Sequence, residues 1–254
     1  MSDSPPLTLF RALMDHLHSQ TGDAPQWPWL FHEMVAREYR RERDRGVSYS
    51  GDIFKDRDDD RSVALKPEPK SVRELYQLCK NNARGCLTID RSAYWLLGWE
   101  WPNQGSERGR RADLVGLNVQ GGLTVFECKL EGNSETPFTA LLQGLDYLAC
   151  LTSEPSMLKI QQGFDAWKAK PDVIPPERFE QCEPNSDAVS EVIVMAPSGY
   201  YDQHCRSRRG EGWNTLADHT RTEANMLAMR FAVTDFHSTK ATWYSSSTLK
   251  RGSK

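Results

Sequence analysis

Apolar residues recur at helical spacing in three parts of the chain. After Pro28, a residue suited to the first turn of a helix, "WLFHEMVAREYRRERD" carries Leu30, Phe31, Met34 and Val35 on one stripe and predicts a helix at about 28–45. "SVRE" at 71–74 matches a capping box, Ser71 with Glu74, and opens a second helix whose apolar side is Val72, Leu75, Tyr76 and Cys79. The third, "PFTALLQGLDYLACL" (137–151), sets Phe138, Leu141, Leu142, Leu145, Leu148 and Ala149 on one face. Between the second and third the pattern turns strand-like: "AYWLLGWEW" (93–101), "ADLVGLNV" (112–119) and "LTVFECKL" (123–130). The last two are joined by "QGG", a hairpin signal. "EVIVMAP" (191–197) is a continuous apolar run of the kind buried on both faces of a sheet. Beyond it the pattern predicts a helix around "RTEANMLAMR" (221–230) and a last strand at "FAVTDFH" (231–237).

The order helix, three strands, helix, strand predicts an α/β fold with a central mixed β-sheet flanked by helices, an α-β-β-β-α-β core. Residues 1–70 form an N-terminal helical segment and a charged, Pro-punctuated connection over 46–70; residues 71–254 form the α/β core with a C-terminal elaboration. The stretch "PSMLKIQQGFDAWKAKPDVIPPERFEQCEPNSD" reads as irregular or helical.

Within the third strand run the charge pattern departs from what a core requires. Side chains alternate along a strand, so Val125, Glu127 and Lys129 share one face while Phe126, Cys128 and Leu130 take the other. The preceding strand carries Asp113, and register decides whether it joins them. A two-residue loop, Gly121-Gly122, turns Asp113 away; a three-residue loop, Gln120 to Gly122, sets it opposite Lys129, with Val115 opposite Glu127. The second arrangement is the expected one. Two carboxylates brought close repel unless a proton or cation intervenes. A hard divalent ion, Mg²⁺ or Mn²⁺, takes carboxylate and carbonyl oxygens and keeps several waters. The Cys128 peptide carbonyl lies between the two charged residues and offers a further oxygen. A structural ion pair is the competing account of Glu127 and Lys129, and "EPK" at 68–70 repeats their spacing in a context unsuited to a central strand.

The residues "AD…FECK", with Asp113, Glu127 and Lys129, resemble the PD-(D/E)XK nuclease superfamily, the restriction-endonuclease-like fold, over roughly residues 28–197. Gln143 and Tyr147, spaced Q-x-x-x-Y on the following helix, resemble its RecB-like branch, where this helix adds to the active site. The resemblance implies metal-dependent hydrolysis of phosphodiester bonds. Asp113 and Glu127 would be metal ligands, and Lys129 would activate water or stabilise charge. Many members add a glutamate from the first core helix; Glu38, which falls within the apolar stripe of the first helix, is the candidate, with Glu33 in reserve. The Pro of the motif is Ala112 here. The expected substrate is nucleic acid, DNA ahead of RNA, and a homodimer is the expected form for cutting both strands of a duplex. The alternative is a catalytically inactive nucleic-acid-binding or protein-interaction module on the same fold.

Composition narrows the remaining choices. The 254 residues carry a formal net charge of −3, so no global basic excess advertises nucleic-acid binding. Positive charge is nevertheless clustered in "REYRRERDR", "RGRR" and "RSRR", and Arg110 and Arg111, which lead into the Asp113 strand, are candidate phosphate contacts. Six cysteines without a C-x-x-C pair point to free thiols and a cytoplasmic setting. The six histidines show no zinc spacing, and neither a Gly-rich phosphate loop nor a G-x-S-x-G elbow is present. The aromatics of "WPWL", "AYWLLGWEW" and "GYYDQH" suit stacking on unpaired bases, or the core and subunit contacts that such residues more often make.

Overall fold

Among the described residues seven strands form the architecture: β1 (Cys86–Ile89), β2 (Ser92–Pro102), β3 (Arg111–Asn118), β4 (Leu123–Cys128), β5 (Ser190–Ala196), β6 (Leu227–Val233) and β7 (Lys240–Trp243). The structure, a computed structural model, describes residues 39–41, 43–44, 54, 66–102, 111–205 and 227–244. Helix α1 (Pro67–Ala83) precedes β1, α2 (Pro137–Leu151) and α3 (Glu154–Lys168) lie between β4 and β5, and α4 (Ser198–Cys205) follows β5. Each strand pairs with its neighbour in chain order, and β1 also pairs with β7, so the seven strands close into a mixed barrel.

This closure corrects the expected fold class. An open sheet flanked by helices is overturned by two short strands with weak sequence signals. "CLTI" and "KATW" are four residues each, and they pair in parallel through Thr88↔Lys240 and Ile89↔Ala241. A second correction concerns β6. The Leu, Ala and Met of "LAMR" favour a helix by propensity, but residues 227–230 are strand, paired in parallel with β5 along their length. Tertiary pairing overrides propensity here, and the segment is buried on both faces at all but two positions. Helix α1 starts at Pro67 rather than Ser71, with Pro in its first turn and Lys66 as its N-cap.

Alternate side chains divide between two apolar clusters. Val115, Val125, Val192 and Val194 pack with Leu141, Leu145 and Leu148 of α2 and Phe164 of α3. Leu114, Phe126, Ile193 and Met195 pack with Val72, Leu75 and Cys79 of α1. Burying a side chain of this kind contributes about 1.5–3 kcal/mol, so both faces of β3 to β5 are held firmly. Tyr39 and Phe54 join the first cluster, Tyr39 through a 2.7 Å hydrogen bond to Thr152. Cys79, Cys86, Cys128, Cys150 and Cys182 are free thiols. Among the described residues no helix is long and apolar enough to cross a membrane.

The β3–β4 hairpin sets the site. Its loop is three residues, but Val119 to Gly121, because the Asn118 N–H donates to Gly122 O and Gly121 holds the left-handed position at φ 86°. Asn118 Oδ1 accepts from the N–H groups of Gln120 and Gly122, which fixes the turn. The printed pairs run from Leu117↔Leu123 to Leu114↔Phe126. One step further sets Asp113 level with Glu127 rather than Lys129. The expected face is kept and the expected register shifts by two residues.

Candidate functional site

Three acids lie abreast at one end of β2, β3 and β4. Trp99↔Leu114 and Trp101↔Ala112 bracket Glu100 beside Asp113, and Asp113 is in turn level with Glu127. Glu100 has φ 47°, a left-handed conformation inside a strand. For an L-residue this costs on the order of 1–2 kcal/mol. Asp113 Oδ2 accepts a 2.7 Å hydrogen bond from the Cys128 N–H, which ties β3 to β4 beside the acids. Glu68 enters from the first turn of α1, and Glu135 from the loop ahead of α2. Together with Arg111, Lys129, Asn133, Gln143, Asp146 and Tyr147 they line a cavity of about 700 Å³.

Lys129 sits just past the end of β4, buried among these acids. Its Nζ is 2.9 Å from Glu135 Oε2, 3.7 Å from Glu127 Oε2 and 3.9 Å from Glu68 Oε1. The supports are themselves supported. Gln143 Nε2 donates to Glu135 Oε1 at 3.3 Å, Asn133 Nδ2 donates to Glu68 Oε2 at 2.8 Å, and the Tyr200 hydroxyl of α4 donates to the Glu135 carbonyl at 2.9 Å. Helix α2 approaches this end of the sheet closely because residue 144 is glycine. A Cβ there would lie 2.5 Å from Val192 Cγ1 and 3.1 Å from Glu127 Cγ.

Burial and mutual charge split the acids into two groups. Glu127 is 3 % exposed, and burial together with the Asp113 charge pushes its carboxyl well above the usual range, against the pull of Lys129. Asp113 is raised to about 7 by burial, opposed by Lys129 and the Cys128 N–H. Glu135 behaves oppositely: burial works upward, but the Lys129 hydrogen bond and charge hold it below its ordinary value. Burial works to lower Lys129, yet the charges of Glu127 and Asp113 and the bond to Glu135 raise it, so it stays an ammonium ion.

Comparison with known proteins adds nothing to this geometry. No protein family, curated protein or solved structure matches the chain.

The donor set fits a hard divalent cation. Glu127 Oε1 is buried and has no hydrogen-bond partner, a costly state for a carboxylate oxygen. Asp113 stands beside it, and Mg²⁺ needs only one or two carboxylates because it keeps several of its waters. Among the described residues no three His, Cys, Asp or Glu side chains already converge as a preformed metal cluster. Any part played by Cys128 is restricted to its peptide carbonyl, since its side chain belongs to the apolar cluster on the α1 side.

Asp113, Glu127, Lys129, Gln143 and Tyr147 all line the one cavity, as does Arg111. Arg111 is bonded to Glu100 at 2.8 Å and sits at the exposed mouth. Glu38, its reserve Glu33 and Arg110 lie outside the described residues. Glu68, Glu100 and Glu135 were not anticipated from the sequence. Pro67 at a helix start would have pointed to Glu68, and Thr136-Pro137, an N-cap followed by a first-turn proline, to Glu135. Glu100 had one signal, an acid inside an otherwise apolar strand.

Proposed function

We propose that the chain is a divalent-metal-dependent nuclease, hydrolysing phosphodiester bonds of nucleic acid, with DNA the first substrate to test and RNA the second. The observation that carries this reading is the buried, unpartnered Oε1 of Glu127 beside Asp113. Charge supports it. The cavity's described lining residues include six acids, Glu68, Glu100, Asp113, Glu127, Glu135 and Asp146, and two bases, Arg111 and Lys129. Such a surface repels a phosphodiester until a cation is bound, and it concentrates cations. This disfavours a metal-free nucleic-acid-binding module.

A Mg²⁺ or Mn²⁺ ion held by Asp113 and Glu127 would supply charge neutralisation and a more acidic water. The residues of the chain have separate tasks. Asp113 and Glu127 must both be ionised to hold the cation, so each gives up the proton that burial favours. Lys129, kept protonated by its acids, donates hydrogen bonds to negative charge that develops on the phosphate oxygens. It is therefore a charge stabiliser and not the base that deprotonates water. Glu135 and Gln143 orient Lys129, and Tyr147 adds a wall to the cavity. Cutting both strands of a duplex would take two copies of the chain, each bringing one cavity. The free thiols suit a reducing, cytoplasmic setting.

The test is cleavage of labelled single- and double-stranded DNA and RNA in EDTA, Mg²⁺ or Mn²⁺, beside the Glu127→Gln variant. The expected result is cutting that requires both the metal and Glu127. No cutting of any substrate, with no metal uptake by calorimetry, would refute the proposal.

A further inference from the structure

A second cavity, of about 240 Å³, lies between the C-terminal ends of α1 and α3 and the middle of β2. Four of the chain's eight tryptophans line it: Trp95, Trp99, Trp101 and Trp167. The rings are mutually braced, with Trp95 and Trp167 centroids 5.1 Å apart and Phe54 stacked on Trp167 at 5.4 Å. Strand β2 bulges between Leu96 and Gly98, and a Cβ on Gly98 would run into the Trp101 indole. The sequence thus keeps one position bare so that an indole can lie along the wall.

The described rim residues are mostly basic, unlike those of the acidic cavity. Among the described lining residues, Lys80, Arg84 and Lys170 stand with one acid, Asp172. Arg84 caps α1 in the left-handed conformation, φ 52°, where glycine or asparagine is usual. The cap fixes the arginine backbone beside the row of indoles. Ile174, 58 % exposed, forms an apolar lip. Indole walls accept a flat ring by stacking, and the cations accept a charge on it. The volume falls below the roughly 300–1,000 Å³ of pockets that enclose drug-sized ligands, so one ring system fits.

We propose that this cavity binds one nucleotide, its base among the indoles and its phosphate at Arg84 and Lys170. The choice of a nucleobase over other flat anions rests on the nuclease reading of the neighbouring cavity. Trp99 and Trp101 line this cavity and Glu100, between them in sequence, lines the acidic one. The nucleotide is either free or an unpaired residue of a strand, and the two sources share the same chemistry.

The test is quenching of tryptophan fluorescence in EDTA, so that binding is read without cleavage. Probes are deoxynucleoside monophosphates, deoxynucleosides, inorganic phosphate, and a short single-stranded oligonucleotide with its abasic counterpart. The expected result is saturable quenching by the monophosphates, roughly tenfold weaker in Arg84→Gly or Lys170→Ala, the loss of one charged contact. Quenching by the oligonucleotide alone, absent with the abasic strand, assigns the site to a strand residue and equally supports the proposal. No quenching by either, equal binding of the abasic strand, or unchanged affinity in both variants would overturn it. Because the readout is metal-free, failure of the nuclease reading appears only in the cleavage assay.

Discussion

Replacing Glu127 by glutamine separates a catalytic carboxylate from a structural ion pair by the sign of its effect on stability. In the wild type Lys129 Nζ lies 3.7 Å from Glu127 Oε2, an attraction of about 4 kcal/mol at the effective dielectric of such sites. Ionised Asp113, level with Glu127, opposes it with a repulsion of the same order. Those two terms largely cancel and leave the desolvation of a buried carboxylate, on the order of several kcal/mol after relaxation. Glutamine removes that cost, and Lys129 keeps its 2.9 Å partner Glu135. Glu127→Gln should therefore be more stable than wild type in EDTA at pH 8 by about 1–2 kcal/mol, or roughly 2–8 °C in Tm. The pH dependence follows from the same shift. The folded carboxyl is raised above its ordinary value of 4.5, so the folded state keeps a proton that the unfolded chain has lost. Wild-type stability from this group is full below pH 4.5 and falls as pH rises, so the two proteins melt alike in acid and diverge above it. Saturating Mg²⁺ should restore the wild type by about 2.7 kcal/mol at a hundredfold excess over Kd and leave the variant unmoved. Calorimetric melts at pH 4 and pH 8, with and without Mg²⁺, measure every quantity. A variant less stable than wild type at pH 8 in EDTA, or equal Mg²⁺ stabilisation of both, would refute the reasoning.

Removing the cation at the centre of the cluster should have the opposite sign: Lys129→Met leaves Glu127, Glu135 and Glu68 without a shared cation and should cost about 3–5 kcal/mol in urea unfolding at pH 8, with Mg²⁺ uptake kept and cleavage lost. Asp113 is raised from 3.8 to about 7, so metal-free stability should fall as pH rises across that window, a slope that Asp113→Asn should lack; Mg²⁺ affinity, followed by calorimetry, should rise through the same window. Gly144→Ala forces a methyl against Val192 and Glu127 and should destabilise by about 1–3 kcal/mol, weakening Mg²⁺ binding at the same time; an unchanged affinity would show that α2 does not hold Glu127 in place.

The elements that carry their own pattern were legible in the sequence. Strands β2 to β5 and helix α2 were each anticipated to within a few residues, because their apolar runs are long and bounded by turn signals. Barrel closure was not legible. It depends on Thr88 and Ile89 meeting Lys240 and Ala241, some 150 positions away, and four-residue strands have too few positions to show alternation. The helix expected at 221–230 failed over its described part for a related reason: the propensity of Leu227, Ala228 and Met229 is local, and the ladder they make with Ser190, Glu191 and Val192 is not. Parity of the β3–β4 hairpin was legible from its glycines, but the two-residue shift was not. It is set by the Asn118 side chain, which takes the N–H groups of Gln120 and Gly122 and begins the turn one residue earlier.

Among the site residues the same division has a chemical meaning. Glu68 and Glu135 stand at the starts of α1 and α2, where unpaired N–H groups and the helix dipole favour negative charge, and α4 anchors the Glu135 loop through Tyr200. Of these, Glu135 holds Lys129 by a hydrogen bond at 2.9 Å, while Glu68 at 3.9 Å stands no nearer to it than Glu127 at 3.7 Å. Asp113 and Glu127 lie on strands, which offer no comparable dipole; among the described residues the backbone donor they receive is the Cys128 N–H at Asp113 Oδ2. Asp113 and Glu127 were visible in sequence because an acid is rare in an apolar run, although Glu100, also on a strand, was missed; helix-start acids were not visible, because an acid there is ordinary. Glu135 takes the one short bond from the lysine, which reaches Glu127 only through Oε2 at 3.7 Å and leaves Glu127 Oε1 unpartnered. A lysine fully committed to the strand pair would have made that pair a closed structural unit. On the proposed reading, its 2.9 Å bond to Glu135 is what would leave the two strand carboxylates to a cation.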